Sequence, residues 1–226
     1  MRPVELQPPL EPNGQLMNFV GDHRKAKLPL TEQLGCYCSF CETPAPLGSL
    51  EVEHILPKSI YPESEFVWEN FLLACRNCNA TKLKKDTRQL APYLPHTHNL
   101  LCYVQFQYGQ IRVKSGLSDA DQRGTEAFIN LVGLAKVPTP ENLLEKDDRW
   151  AKRLTVYEHA QKFRSSYSQN PELILPLLIT TAQASGFFAI WFFIFADFPQ
   201  VRAALIQAFK GTANSAFNDL YEPIER

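Results

Sequence analysis

The chain has 226 residues, 21% of them charged and 45% hydrophobic, with a formal net charge of -1. That length and balance are ample for a buried core and exclude a disordered chain or a disulfide miniprotein. They also exclude attraction to a polyanion through overall charge, so a nucleic-acid partner has to be met by a local basic patch. Six cysteines would suit three disulfides in a secreted protein, but the N-terminal text MRPVELQPPLEPNGQ contains no apolar core of a signal peptide. The expectation is a cytoplasmic protein, in which C-x-x-C pairs bind metal or do redox chemistry.

Residues 1 to about 20 are rich in proline and read as an extended arm. The text HRKAKLPLTEQLG predicts a short helix from Arg24 to Leu34, capped by Thr31 and stopped at Gly35, with Arg24, Lys25 and Lys27 as a small basic patch. A cysteine-rich part follows, from Cys36 to about Arg88. In it Cys38-x-x-Cys41 and Cys75-x-x-Cys78 are separated by 33 intervening residues. Two such knuckles predict a structural four-cysteine zinc site, because thiolates suit a borderline-soft ion and the two-residue gap lets both sulfurs of a pair reach it. Unligated thiols or a redox pair are the other readings, although one C-x-x-C would suffice for redox work. Cys36 lacks the two-residue spacing and is the spare, and Cys102 reads as a small apolar filler.

Between the knuckles, Leu50 to Ile55 alternates as a strand does and ends at Glu53 and His54, WENFLLA forms a second strand, and CNATKLKK begins a helix. Two strands and a helix tied at the base by zinc would bring His54 beside the helix start that carries Asn79. Further on, LLCYVQFQYGQIRVKS alternates Val104, Phe106 and Tyr108 against Gln105 and Gln107 and turns at Gly109, a half-buried hairpin. Ser118 opens a helix ending near Gly133. Thr139 followed by Pro140 opens another, in which Leu143, Trp150, Leu154, Tyr157 and Phe163 form a core-facing stripe. Leu173 to Ala196 carries no charge over a length that could cross a bilayer. Pro176, the polar run Thr180 to Ser185 and Gly186 interrupt it, so the reading is two shorter buried helices, the second capped by Ser185 and ended by Asp197 and Pro199.

The cysteine-rich text resembles the HNH, or ββα-metal, endonuclease family. That family's pattern is a C-x-x-C, an acidic residue followed by His, a middle Asn, and a C-x-x-C-[HN]-x-x-K. It is met by Cys38 and Cys41, Glu53-His54, Asn70, and Cys75, Cys78, Asn79 and Lys82. YCSFCE, VEHILPKS and WENFLLACRNCNATK are similar to sequences of the PtuB-like HNH proteins, which are linked to phage defence in Septu and retron systems. The resemblance implies an α+β fold in which a zinc-stabilised ββα-metal core carries a small β-hairpin and a mainly helical C-terminal extension. The corresponding division is an N-terminal arm over 1–27, a nuclease core with its zinc site over 28–95, and the hairpin with the helical extension over 96–226. The implied activity is a metal-dependent DNA endonuclease, with Mg2+ or Mn2+ as catalytic ion and an ABC-type ATPase, PtuA-like, as partner. The alternative is a noncatalytic zinc-stabilised module that binds nucleic acid or another protein.

Hydrolysis of a phosphodiester needs a nucleophile made from water, stabilisation of charge on the phosphate, and help for the departing oxygen. His54, a histidine near its ordinary pKa, suits removal of the proton from water. Glu53 supplies the carboxylate that a hard ion prefers, and Asn79 offers an amide oxygen as a second ligand. Glu51, two residues before Glu53 and on the same strand face, is its substitute. By the resemblance, Asn70 orients the His54 imidazole, directly or through a backbone group. The run RNCNATKLKKDTR sets Arg76, Lys82, Lys84, Lys85 and Arg88 against Asp86, a net charge of +4, and is expected to contact phosphates, with Lys82 the position matched by the family.

Overall fold

In the computed structural model, which describes residues 1–137, 139 and 147–226, the first helix is α1 (Lys27–Leu34), entered through a 3-10 turn at His23–Ala26. Asp22 caps that turn by accepting from the Arg24 backbone N–H, and Gly35, at φ 76°, ends the helix. The cap is thus Asp22 and not Thr31. The Thr31 hydroxyl lies inside the helix and donates to the Lys27 carbonyl, the usual outlet for a threonine at mid-helix.

Strands β1 (Leu50–His54) and β2 (Phe71–Cys75) pair antiparallel, from Leu50 opposite Cys75 to His54 opposite Phe71. All five residues of β2 are buried. Helix α2 (Arg76–Lys82) follows β2 without a loop and packs back on β1, and a single turn, α3 (Thr87–Leu90), comes next. The hairpin of β3 (Val104–Gln107) and β4 (Gln110–Val113) turns at Tyr108 and Gly109, both at positive φ, as a two-residue hairpin of right-handed twist requires.

The rest is helical: α4 (Asp119–Leu131), α5 (Arg149–Tyr167), α6 (Pro171–Ser185), α7 (Phe188–Ile194) and α8 (Pro199–Ala208). Ser118 caps α4, its hydroxyl accepting from the Asp121 N–H at 3.2 Å. Of the expected second helix, Pro140 and Leu143 lie outside the described residues. In α5 the expected stripe of Trp150, Leu154, Tyr157 and Phe163 is only half-buried, and the sealed face carries Arg149, Arg153, Val156, Ala160 and Tyr167. Two buried arginines on the inner face displaced the apolar stripe, which periodicity of apolar residues cannot register.

α5 packs on α6 and α7, and α8 on the same pair. α6 ends at Ser185, which does not cap α7. Its hydroxyl accepts from the Trp191 indole N–H at 3.3 Å, and α7 begins only after Gly186 and Phe187, both at positive φ. Only α7 is buried throughout most of its length, since Leu173 and Leu177 of α6 are exposed. Among the described residues no helix is long and apolar enough to cross a membrane.

One cluster of buried side chains runs from Met1 and Val4 through Leu30, β2 and Phe128 to Trp191 and Leu205. The beginning of the chain is bound into it. The buried Arg2 guanidinium donates to the Leu34 carbonyl at 2.9 Å, to the Lys210 carbonyl and to the Thr212 hydroxyl at 3.3 Å, tying α1 to the residues after α8.

The hairpin turn is pressed onto α5: a Cβ at Gly109 would sit 2.5 Å from the Leu154 backbone nitrogen, at φ 73°. Gly109→Ala is therefore expected to destabilise the fold by at least about 2 kcal/mol, from strain at positive φ and from a clash with backbone that cannot yield. Thermal melting followed by circular dichroism measures this, and an unchanged midpoint would contradict the packing of the turn on α5.

Candidate metal centre and active site

The first knuckle is a tight loop in which the Cys38 N–H donates to the Thr43 carbonyl and the Glu42 N–H to the Cys38 carbonyl, with Glu42 at φ 64°. The Ser39 N–H donates to the Leu73 carbonyl at 2.8 Å and fixes this loop to β2. The second knuckle needs no loop, because Cys75 ends β2 and Cys78 lies in the first turn of α2. The sulfurs of Cys38, Cys41, Cys75 and Cys78 consequently lie within 4.8 Å of one another, and those of Cys41 and Cys75 are 3.6 Å apart. A tetrahedral zinc with bonds of about 2.3 Å needs its sulfurs about 3.8 Å apart, so this donor set fits the ion and could hold a structural zinc. All six cysteines are free thiols, and Cys36 and Cys102 stand outside the group.

Around the sulfurs, the Thr43 hydroxyl lies 3.1 Å from Cys41 Sγ, and Arg149 of α5 donates from Nη1 to Cys78 Sγ at 3.1 Å. The same guanidinium donates to the Val132 carbonyl at 2.8 Å and to the Asp147 carboxylate at 2.6 Å. Burial opposes the charge on Arg149, yet the Asp147 carboxylate and the Cys78 and Cys41 sulfurs hold its pKa above the ordinary arginine value. Nothing in its local sequence marks Arg149 as a partner of the cluster.

On β1, Glu51 and Glu53 share the face that meets α2. The Asn79 amide donates to the Glu51 carboxylate. One turn further along α2, Lys82 Nζ donates to Glu53 Oε1 at 2.8 Å and to the His54 carbonyl at 2.6 Å. Lys82 is 1% exposed. This corrects the expectation that Lys82 contacts phosphate, because its ammonium is spent inside the protein on the carboxylate and the carbonyl. Burial raises the Glu53 pKa above the ordinary carboxylate value, and Lys82 pulls it back. The structure brings Asn79 to Glu51, and places Glu53 a strand step deeper with Lys82.

The His54 ring packs edge-on against Phe71 at 5.3 Å and against His23 at 4.7 Å between ring centroids. Its Nε2 lies 2.9 Å from the Glu65 carbonyl. A carbonyl only accepts, so the proton is on Nε2, and Nδ1 keeps its lone pair. Burial lowers the His54 pKa below the ordinary value, which keeps the ring neutral and basic at neutral pH. Asn70 does not touch the imidazole. Its Nδ2 donates to the carbonyls of Ser64 at 2.9 Å and Leu56 at 3.1 Å, and its Oδ1 accepts from the Leu56 N–H at 2.7 Å. It thereby staples the segment whose next residue, Glu65, receives the His54 proton.

In the basic run, Arg76, Lys84 and Arg88 are exposed, Arg88 lying over the Tyr61 ring at 4.3 Å. Lys85 donates to the Leu131 carbonyl at 3.0 Å and completes the end of α4. His23, whose ring meets His54, is a neighbour of the site that no motif or spacing pointed to.

A four-sulfur cluster, an acidic strand ending at a neutral histidine and an asparagine in the helix behind it are the arrangement that the ββα-metal resemblance implies. Residues 38–85 match the HNH endonuclease family, and the chain carries an HNH endonuclease domain there. The chain is similar to the Septu protein PtuB of Bacillus thuringiensis, 38% identical over 65 residues. That similarity covers 28% of this chain and 25% of the relative, so the chain spans about a quarter of the length of the curated protein it matches. No solved structure matches it.

Two outcomes are expected. Lys82→Ala leaves Glu53 buried without its counter-charge and should lower stability by about 3 kcal/mol, read as a fall in the thermal midpoint. A lysine serving only as a surface phosphate contact would leave the midpoint in place. Arg149→Met should weaken zinc retention by about 10- to 100-fold in competition with a chromogenic chelator, because it removes the outer-shell donor to Cys78.

Proposed function

We propose that the protein is a metal-dependent endonuclease that hydrolyses phosphodiester bonds of DNA with His54 as general base. The observation that carries this reading is the His54 ring, whose Nε2 proton is committed to the Glu65 carbonyl while Nδ1 is left basic. Residues 28–95 act as the catalytic core, with 1–27 and 96–226 as the flanking arm and extension.

His54 Nδ1 takes the proton from the attacking water, and the Asn70 staple keeps the Glu65 carbonyl where it fixes the tautomer. Asn79 and Glu51, which touch between β1 and α2, offer an amide and a carboxylate oxygen, and Glu53 lies deeper on the same strand face bonded to Lys82; such hard oxygen donors would suit Mg2+ or Mn2+. When bound there, a single such ion supplies positive charge to the phosphate and to the departing 3′ oxygen. Lys82 holds the Glu53 carboxylate in place and favours its ionised form. Arg76, Lys84 and Arg88 are the members of the basic run that remain exposed to meet the DNA backbone.

The likeness to a Septu protein supports a role in anti-phage defence, in the cytoplasm, beside a PtuA-like ATPase of the ABC type. With a net charge of -1, affinity for DNA is expected to be weak and strongly dependent on salt, which such a partner can remedy.

The test is nicking of a plasmid with magnesium or manganese, with and without the partner, at matched zinc content. His54→Ala should lose about 10²- to 10⁴-fold in rate, the usual worth of a general base. Asn79→Ala should lose cleavage while zinc content and melting persist. Cleavage by His54→Ala at the wild-type rate would remove His54 as the base and defeat this reading, and no cleavage by either protein with any divalent metal or partner would leave a noncatalytic zinc-stabilised module.

A further inference from the structure

The region N-terminal to the family match makes its own contribution to the site. The His23 ring rests on the His54 ring at 4.7 Å between centroids, and neither of its nitrogens has a hydrogen-bond partner among the described residues. His23 is half-exposed and opens onto a groove of about 350 Å³ along the free edge of β1. One wall of that groove is His23, Arg24 and Lys27; the other includes Glu51 and Asn79.

We propose that His23, Arg24 and Lys27 form the second wall of the substrate groove, and that a phosphate of the DNA strand beside the scissile one bonds to His23. The inference rests on the nuclease reading given above and deepens it by placing the strand. Charge argues for it. A polyanion needs cations on both sides of its path, and the α2 side has lost Lys82 and Lys85 to bonds within the protein. Arg24 and Lys27 restore cations across the groove. The ion pair of Arg24 with Asp22 at 2.7 Å is at the surface, and such pairs exchange readily for a phosphate. Chemistry argues for it too. Packing against His54 would be served as well by phenylalanine, whereas a half-exposed imidazole that lines the groove and has an unpaired N–H can donate to a nonbridging oxygen. A phosphate held there would bond a ring whose centroid lies 4.7 Å from that of the proposed base.

The test uses the full-length protein and a defined DNA duplex. His23→Ala should lower kcat/KM by about tenfold or more, with zinc content and melting unchanged. His23→Phe keeps the ring contact without a donor and should be equally impaired, and His23→Asn, which keeps an N–H, should recover much of the loss. Lys27→Glu should raise KM with little change in kcat. In binding measured by fluorescence anisotropy without added magnesium, it should reduce the slope of log affinity against log salt by about one or more. Wild-type cleavage by His23→Phe, or unaltered DNA binding by Lys27→Glu, would overturn the proposal even if His54→Ala is inactive. If instead His54→Ala cleaves like the wild type, the nuclease reading fails. The groove then stands only if Arg24→Glu and Lys27→Glu weaken binding, and falls if they do not.

Discussion

Four sulfurs lie within 4.8 Å of one another in a site from which water is largely excluded, and as thiolates they would repel one another strongly. A dication at their centre removes the repulsion but leaves a net charge of about -2, since four thiolates carry -4. That residual charge is answered from the far half of the chain. Arg149 bonds Cys78 directly, and Arg153, one turn on, is buried beside it with its pKa pushed down to about 10 by burial, its guanidinium donating to the Gly109 and Leu134 carbonyls. The helical part is thus attached to the knuckles by charge as well as by apolar contact. Glu42, in the first knuckle, extends the attachment: its carboxylate accepts from the Ala189 N–H at the start of α7 and from the Arg2 N–H, and its carbonyl accepts from the Phe187 N–H.

The same cluster sets the geometry of the candidate nuclease site. Cys75 and Cys78 fix the angle at which α2 leaves β2, and β2 holds β1 in register. That angle decides which α2 side chains reach Glu51 and Glu53. Asn79 meets the first and Lys82 the second, with Lys82 also holding the His54 carbonyl. A lysine buried this deeply is costly unless it is fully bonded, and here a carboxylate and a carbonyl share it. The result is rigidity at the backbone of His54, so the imidazole is held from both ends, by Lys82 at the main chain and by Glu65 at the ring.

What could be read from the sequence follows from the range of the interactions. The knuckles, the first strand of the core, the hairpin turn and the Ser118 cap are written in spacings of a few residues, and the structure has them at or within a residue or two of their expected places, whereas the second strand begins only at Phe71 because Trp68–Asn70 forms a 3-10 turn. Residues brought together through space were not legible. Lys82 lies in a run of cations and looks solvated, and only the packing of α2 on β1 turns it inward. Arg149 and Arg153 occupy inner positions of α5 because a charged cluster lies opposite, and a rule that equates the inner face with apolar residues passes over them. Ser185 precedes an apolar helix as a cap would, but Gly186, where a Cβ would meet the Glu42 carbonyl at 2.5 Å, holds the chain in a turn first. His23 carries no signal at all, since what matters about it is the ring it touches.

The position of His23 depends on the knuckles even though it lies outside them. Arg2 joins the end of α1 to the residues after α8 through the Leu34 and Lys210 carbonyls, and its own N–H is held by Glu42 of the first knuckle. The 3-10 turn that carries His23 leads directly into α1. One wall of the groove is therefore anchored to the cluster through Cys78 and α2, and the other through Glu42, Arg2 and α1. The two walls of the groove thus share one point of attachment, the cysteine knuckles, although no cysteine lines the groove itself.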